Sequence, residues 1–507
     1  MKSIFNIACR GSWLSLAQAE IFKKKIAAIY PDIIINTTII ETSGDKEQTM
    51  PLHLVEGKDF FTREIQDYLN SKQADFAVHS MKDVSSVDFF KDGHYAIIDR
   101  ELLHDVAIFN EAIVDKINRG EKIIIGTSSP RRSNMATEFL QKALPELNKK
   151  PLLVEAASIR GNVDTRLQKL QDGLYDGVIL AAAGLNRLLQ YEPAKERVST
   201  LLRNKKLMLL PLFECPPAAG QGAIVAETTG SNAAAIEILN AIKNTQLTDA
   251  ITEERVYAQQ YGYGCSQQFG VFHLDIPAIS FTYASGKDGT AKTFTEWNFK
   301  TELNITGKQL FSTADYMKDF FTYNFLDAAI DETAKLFFIS SHKAIHAEKI
   351  KNTIQHKRVW AAGTRTWYEL AKKGIWVEGC ADGLGFEFLQ PVFKSPLVNI
   401  EKKDIQIITN NLSKMHWLQD GINAAGTYEL AGNLSEEIKR AIAKADIIFW
   451  TSFQQYELCK PFIKNNVQHV CPAGKTAKLL VAEGLQPIVF PTIKSFNDWR
   501  VKQKVES

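Results

Sequence analysis

Apolar and polar positions follow two periods along the first 220 residues. Short β-branched or apolar runs at 4–8, 33–40, 76–78, 123–125, 152–154 and 177–180 read as buried strands. Helical spacing follows each of them. Ser12 stands where a helix N-cap is needed, and Pro31 stops that helix near Tyr30. Strands alternating with helices predict βαβ units and parallel sheets, an α/β architecture. The texture changes near Gly222. Helices are predicted over 233–242 and 248–260, and alternating segments then flank a turn at Ser285–Gly289. This reads as a small α+β domain ending near residue 300. In the last 200 residues one pattern occurs twice. Phe337–Ser341 precedes Ala362–Thr366, and Phe449–Ser452 precedes Ala473–Thr476. Each first member reads as a buried strand ending in hydroxyl residues. Each second member reads as a turn into a helix, stopped at Gly374 or Gly484. Two similar α/β units are expected. Thr42–Lys58 has weak periodicity and turn formers, and reads as a loop.

The chain has 507 residues, enough for roughly three domains or more at about 150 residues each. Its net charge of +2 argues against a nucleic-acid binder, which needs a basic excess. No apolar run approaches the length of a membrane span, and Asn6 and Arg10 interrupt the N-terminal apolar stretch. Six scattered Cys, with no CxxC pair, make neither a disulfide framework nor a zinc site, and point to a reducing cytoplasm. No metal signal is found. GTSSPRR at 126–132 lacks the Gly-Lys-Ser/Thr ending of a phosphate-binding P-loop.

Charge type is more informative than net charge. In an open parallel sheet, ligands bind beyond the carboxyl ends of the strands. Those ends present Arg10 and Ser12, then His79, Ser80, Lys82 and Asp83, then Thr127, Ser128, Ser129, Arg131 and Arg132, then Arg160 and Arg166, and finally Arg187. Only 16 of the 60 basic residues are Arg, yet nine of those lie between 100 and 203. Lysine suffices for solubility, whereas the guanidinium fork suits carboxylate or phosphate. Ser129 and Pro130 also form a helix start with free amides. A crevice for a polycarboxylate is therefore expected. Asp83 is the one acid among these cations, either a salt-bridge partner or a group that handles a proton. His79 reads as structural. Cys265, in the YGYGC segment, stands on a glycine-rich turn.

Eight segments together resemble hydroxymethylbilane synthase, also called porphobilinogen deaminase, over residues 1–300. They are RGS (10–12), AVHSMKDV (77–84), GTSSPRR (126–132), RGNVDTRLQKL (160–170), ILAAAGLNRL (179–188), PPAAGQGAIVAE (216–227), Glu254-Arg255 and Gly264-Cys265. The resemblance implies two domains like those of periplasmic binding proteins and a third small one. The boundaries expected are 1–99 with 200–222, then 100–199, then 223–303. It implies a dipyrromethane cofactor joined to Cys265 through a thioether. Asp83 is implied as the catalytic acid, beside Lys82. Arg10, Ser12, Lys82, Thr127, Ser128, Ser129, Arg131, Arg132, Arg160, Gly161, Arg166 and Arg187 are implied to hold acetate and propionate groups. The implied reaction joins four porphobilinogen molecules with loss of ammonia, each through an electrophilic azafulvene. Ser266-Gln267-Gln268-Phe269 stands where that family has a Pro after the cofactor Cys, and Arg63 where it has Lys.

Residues 304–507 resemble uroporphyrinogen-III synthase more distantly. The carrying segments are FFISSHKAI (337–345), VWAAGTRTWYELAKKGI (359–375), IIFWTSFQQYEL (447–458) and CPAGKTAKLLVAEGL (471–485). Ser340, Ser341, Thr366, Tyr428, Thr451, Ser452 and Thr476 are the implied contacts for a linear bilane closing with its last ring inverted. Three readings follow: a bifunctional tetrapyrrole enzyme, a deaminase carrying a noncatalytic C-terminal domain, or an anion-binding protein without chemistry. A cytoplasmic monomer is expected, with no nucleic acid and no membrane.

Overall fold

The computed structural model describes residues 3–42, 63–84, 94–148, 150–261, 267–316 and 320–505. Cys265 and all but the first residue of the predicted Thr42–Lys58 loop lie outside them. The chain builds β1 (Ile4–Arg10), β2 (Ile34–Ile40), β3 (Phe76–Ser80) and β4 (Tyr95–Arg100) in a first lobe. It then crosses over to β5 (Asp105–Phe109), β6 (Ile123–Gly126), β7 (Val154–Ala157), β8 (Gly177–Ala181) and β9 (Lys206–Leu209). It returns through β10 (Ala223–Glu227). The sheet orders are β2-β1-β3-β10-β4 and β7-β6-β8-β5-β9. In each, four strands run in one direction and one strand, β10 or β5, runs against them.

Two expected boundaries change. β9 pairs with β5, so residues 206–209 belong to the second lobe rather than the first. β10 lies between β3 and β4, so residues 223–227 belong to the first lobe rather than the third domain. The helix Ala233–Ile242, found where predicted, buries Ile238 and Leu239 against Phe5, Phe22 and Phe76 of that lobe. Alternation shows that a segment is a strand, but not which sheet completes its hydrogen bonds. The third domain thus starts at the helix Thr245–Tyr261. That helix packs on an antiparallel sheet of β11 (Phe269–Ile276), β12 (Ile279–Lys287) and β13 (Thr293–Phe299). β12 runs through Lys287, so the turn expected at 285–289 follows it instead.

Two α/β units follow. One sheet consists of β14 (Leu310–Ser312), β21 (Ile447–Phe449), β22 (Gln468–Pro472) and β23 (Ile488–Phe490), in that order. The other consists of β15 (Phe321–Phe325), β20 (Asn423–Gly432), β19 (Ile405–Asn410), β16 (Leu336–Ile339), β17 (Arg358–Ala361) and β18 (Gly379–Cys380), in that order. The chain therefore crosses between units twice. The strand Leu336–Ile339 (β16) forms where the repeated pattern put it, whereas Ile447–Phe449 (β21) forms earlier than the expected Phe449–Ser452 and shares only Phe449 with it, Ser452 capping the next helix instead. Gly374 and Gly484 end their helices with φ of 77° and 82°, in the left-handed region that glycine enters without strain.

Hydrophobic clusters span the two halves, and a large one joins the second lobe to the C-terminal region. Ile113, Phe139, Leu140 and Leu144 of the second lobe share it with Trp367, Leu370, Ile375 and Val377. Trp367 meets Phe139 edge-on at 5.1 Å and Trp376 meets Phe109 edge-on at 5.4 Å. The Leu209 amide donates to the Glu378 carbonyl at 2.7 Å, beside β18 (Gly379–Cys380). The edge of one sheet is thus tied to the edge of the other.

Candidate active site

The cleft forms where strand ends of the first lobe face those of the second. Arg10 ends β1, and the Ser12 side chain caps the following helix by accepting from the Ser15 amide. β3 runs into a single helical turn, Met81–Asp83, which brings Lys82 and Asp83 to the same edge. From the other lobe, Arg132 comes from the helix Pro130–Ala143 and Arg166 from Val163–Gln171. A cavity is lined by Arg10, Ser12, Lys82, Arg132, Gly161 and Arg166. A smaller one holds Asp83 and His79 and shares Arg10, Ser12 and Leu14 with the first.

The cations act on one another. Burial lowers the Arg166 guanidinium to about 10, and nearby Arg132 and Arg160 push it the same way. Lys82 is also lowered, first by loss of hydration; Asp83 opposes this, while Arg132 and Arg166 reinforce it. Like charges held this close favour an anion between them. A dipyrromethane, with two carboxylates on each pyrrole, fits that donor set. Among the described residues no group of three His, Cys, Asp or Glu side chains is placed to hold a metal ion.

Two expected carboxylate ligands have other work. Arg131 is buried and donates through Nη1 to the Pro216 carbonyl at 2.6 Å and through Nη2 to Asp105 at 2.8 Å. Arg187 is buried and donates to the Gly222 carbonyl at 2.6 Å and to Asp99 at 3.2 Å. Both hold the crossover segments, and neither lines the cavities above. The hydroxyls of Thr127 and Ser129 act within their own loop, and that of Ser128 reaches the loop after β7. Thr127 accepts from the Ser129 amide, Ser129 accepts from the Arg132 amide, and Ser128 donates to the Ile159 carbonyl. Arg160 is half-buried beside the cleft, and its carbonyl accepts from Lys169. Gly161 turns the chain with φ of 111°, where a Cβ would sit 2.7 Å from Thr165.

Asp105 is the main residue that sequence reasoning missed. It is fully buried, and Arg131 and Arg132 hold its carboxyl well below the usual range against the opposing effect of burial. Gln221 donates to the same carboxylate at 2.9 Å. Glu254 is buried too, and accepts from Arg100, the Gly220 amide and the His273 amide. Arg255 donates to the Val84 carbonyl at 2.6 Å. The Glu254-Arg255 and PPAAGQG segments therefore serve the joint between domains. The only signal for Asp105 was an acid heading an apolar strand, with no spacing to tie it to Arg131.

In the sequence, Cys265 follows the helix that ends at Tyr261 and precedes β11. Gln268 accepts from Asn134 of the Pro130–Ala143 helix at 3.2 Å. The five described cysteines are all buried. Burial pushes the Cys9 thiol up to about 11 and those of Cys459 and Cys471 to about 12; Cys215 and Cys380 are also raised.

In the C-terminal region Tyr428 lies within reach of Ser341 and Asn410, and burial raises its phenol. Ser340 donates to the Thr409 hydroxyl. Thr451 donates to Gln455, and Ser452 forms a capping box with the same residue. Thr366 is buried on the helix Thr364–Lys372, whose Trp367 docks on the second lobe. Thr476 is half-buried in the first turn of Lys475–Ala482. The expected contacts therefore form separate groups, linked across the units by Gln454 donating to Ser413 at 2.9 Å.

Two α/β lobes enclosing a cationic crevice define a protein that binds a polycarboxylate. The family model described as porphobilinogen deaminase, dipyrromethane cofactor binding domain, matches residues 5–237. The porphobilinogen deaminase of Listeria innocua is 35% identical over 291 residues, covering 56% of this chain and 83% of the relative. The probable porphobilinogen deaminase of Pyrobaculum neutrophilum is 33% identical, covering 55% and 88%. That of Rickettsia typhi is 32% identical, covering 57% and 89%. The chain belongs to the porphobilinogen deaminase family, and its matching domain is the one that binds the dipyrromethane cofactor.

Proposed function

We propose that the chain condenses four porphobilinogen molecules into hydroxymethylbilane on a dipyrromethane attached through Cys265. The observation that carries this reading is the grouping of Arg10, Lys82, Arg132 and Arg166 around a cleft that also holds Asp83. When bound, the cofactor supplies the free pyrrole α-carbon at which the chain grows. Asp83 gives a proton to the departing amine of porphobilinogen, so ammonia leaves. The carboxylate that remains stabilises the positive charge developing on the pyrrole. General acid help of this kind is worth about 10²–10⁴-fold. Arg10, Lys82, Arg132, Arg160 and Arg166 hold acetate and propionate groups, and Ser12 adds a hydroxyl. Arg131 and Arg187 act by holding the crossover segments. The raised thiols of the other described cysteines leave them poor nucleophiles, which supports attachment at Cys265. The doubly crossed lobes support a binding-protein-like arrangement of the first two domains. We place the enzyme in the cytoplasm as a monomer.

A second activity, closure of the bilane to uroporphyrinogen III, is proposed for residues 304–507. The observation favouring it is the pair of twice-connected α/β units, with Tyr428 and Ser341 together at strand ends of one of them.

One incubation tests both readings. Purified chain is given porphobilinogen, and the oxidised porphyrins are resolved by isomer. Isomer III as the main product supports both activities. Isomer I as the main product removes the second activity and keeps the first. No porphyrin, with an intact mass equal to that of the bare sequence, counts against the deaminase reading and favours an anion-binding protein.

A further inference from the structure

The crossover segments between the first two lobes, residues 101–104 and 210–222, carry any change in the cleft between them. Both are covered by one loop of the C-terminal region. Asp382 is buried, and its Oδ2 accepts from the Leu212 amide at 3.1 Å; it also takes a hydrogen bond from the Phe213 amide. Leu384 packs with Leu212 in a cluster that Leu103, Phe213 and Phe388 border. The Phe388 ring stands 6.2 Å from the buried His104 ring. The backbone of this loop is specialised. Asp382 has φ of 52°, and Gly383 and Gly385 have φ of 77° and 99°. The loop's other side meets the second C-terminal unit: a Cβ on Gly385 would lie 3.2 Å from the Gly474 Cα, and Lys478 pairs with Glu387.

We infer that Asp382 is a positioning residue for the deaminase cleft, fixing the return crossover at Leu212 and Phe213 and with it the relation of the two lobes. A residue of the C-terminal region thereby acts on the reaction of the N-terminal half. Asp382 is not among the described residues that line the cleft; its effect passes through the segment that leads to Gln221, which holds Asp105 and hence Arg132. A residue in the left-handed region, for a side chain other than glycine, persists where its surroundings hold it there. Here the two amide hydrogen bonds do so. This inference rests on the deaminase reading.

The test uses the full chain with Asp382→Ala and Asp382→Asn. Amide exchange is followed by mass spectrometry on peptides covering 207–217, and porphobilinogen consumption is measured in parallel. Asp382→Ala is expected to speed exchange in that segment about tenfold, the worth of one or two hydrogen bonds. Its kcat should fall several-fold while the covalent cofactor stays attached by intact mass. Asp382→Asn keeps an acceptor oxygen and should restore both. Where Asp382→Ala does not fold, Phe388→Ala is read in the same way. Exchange that is unchanged, or raised equally along the whole chain, overturns the inference. Faster local exchange with wild-type turnover also overturns it. A wild-type chain that consumes no porphobilinogen removes the deaminase reading itself, and this inference with it.

Discussion

Arg132 donates to Asp105 at 2.7 Å, across the second lobe from β5 to the helix that faces the cleft. The pair fixes the guanidinium at the cavity wall, where its charge lowers Lys82 and Arg166. Asp105→Asn leaves two buried guanidinium groups short of their counter-charge. Removing one partner of a buried pair costs about 3–5 kcal/mol. Denaturant unfolding should show a loss of that order, and a change below about 1 kcal/mol would contradict the role given to Asp105.

Arg166 and Arg187 should separate binding from stability. Arg166→Leu removes a cleft cation and leaves the crossover segments untouched. A hydrogen bond to a charged group is worth about 1.5–3 kcal/mol, so kcat/KM for porphobilinogen should fall about 10–100-fold with little change in unfolding midpoint. Arg187→Leu leaves the Asp99 carboxylate without this guanidinium and removes one of two donors to the Gly222 carbonyl, and should lower the midpoint clearly. The reverse pattern would return Arg187 to the cleft.

The shared core predicts that the halves are not separable. Trp367 is fully buried against the second lobe, and its indole donates to the Ala143 carbonyl at 3.1 Å. Trp367→Ala should cost about 3–5 kcal/mol. A chain cut after residue 303 exposes Phe139, Leu144 and Leu210, and should aggregate or unfold more readily than the full chain. Light scattering and thermal unfolding check this. A monomeric fragment of undiminished stability would deny the shared core its importance.

Two buried groups at the joint titrate in opposite senses. Burial pushes Asp382 up to about 7 and His104 down to about 4, from ordinary values of 3.8 and 6.5. Unfolded Asp382 loses its proton near pH 4 while the folded chain keeps it to about 7, so Asp382 takes away stability as pH rises through that window. Unfolded His104 binds a proton below 6.5 and the folded chain refuses it down to about 4, so His104 takes away stability as pH falls. The two oppose each other over the same range. Asp382→Asn removes the first alone. Its stability relative to the wild type should climb between pH 4 and pH 7, measured by urea unfolding at each pH. A difference that does not vary with pH would falsify a buried proton on Asp382.

Local order was legible in the sequence where local chemistry decides it. Apolar β-branched runs became β1, β2 and β6; Ser12 and Ser129 became caps; Gly374 and Gly484 ended helices. The cluster of cations at strand ends was legible as well, because the ends of parallel strands gather on one side of a sheet. Its occupant class, a polycarboxylate, followed from the choice of Arg over Lys.

Partner choice was not legible. β9 and β10 changed sheets relative to expectation, since period-2 alternation is the same whichever sheet receives a strand. Arg131 and Arg187 turned inward because Asp105, Asp99 and two carbonyls 26 to 88 residues away stood ready to accept. Trp367 and Trp376 belong to the C-terminal region, yet they cover the second lobe. The sequence by itself determined the elements, the charge type of the cleft and the family. Only the tertiary structure decided which cations face the cleft and how the halves share a core. Those outcomes depend on burial and on hydrogen bonds between segments distant in the chain, and neither leaves a periodic trace.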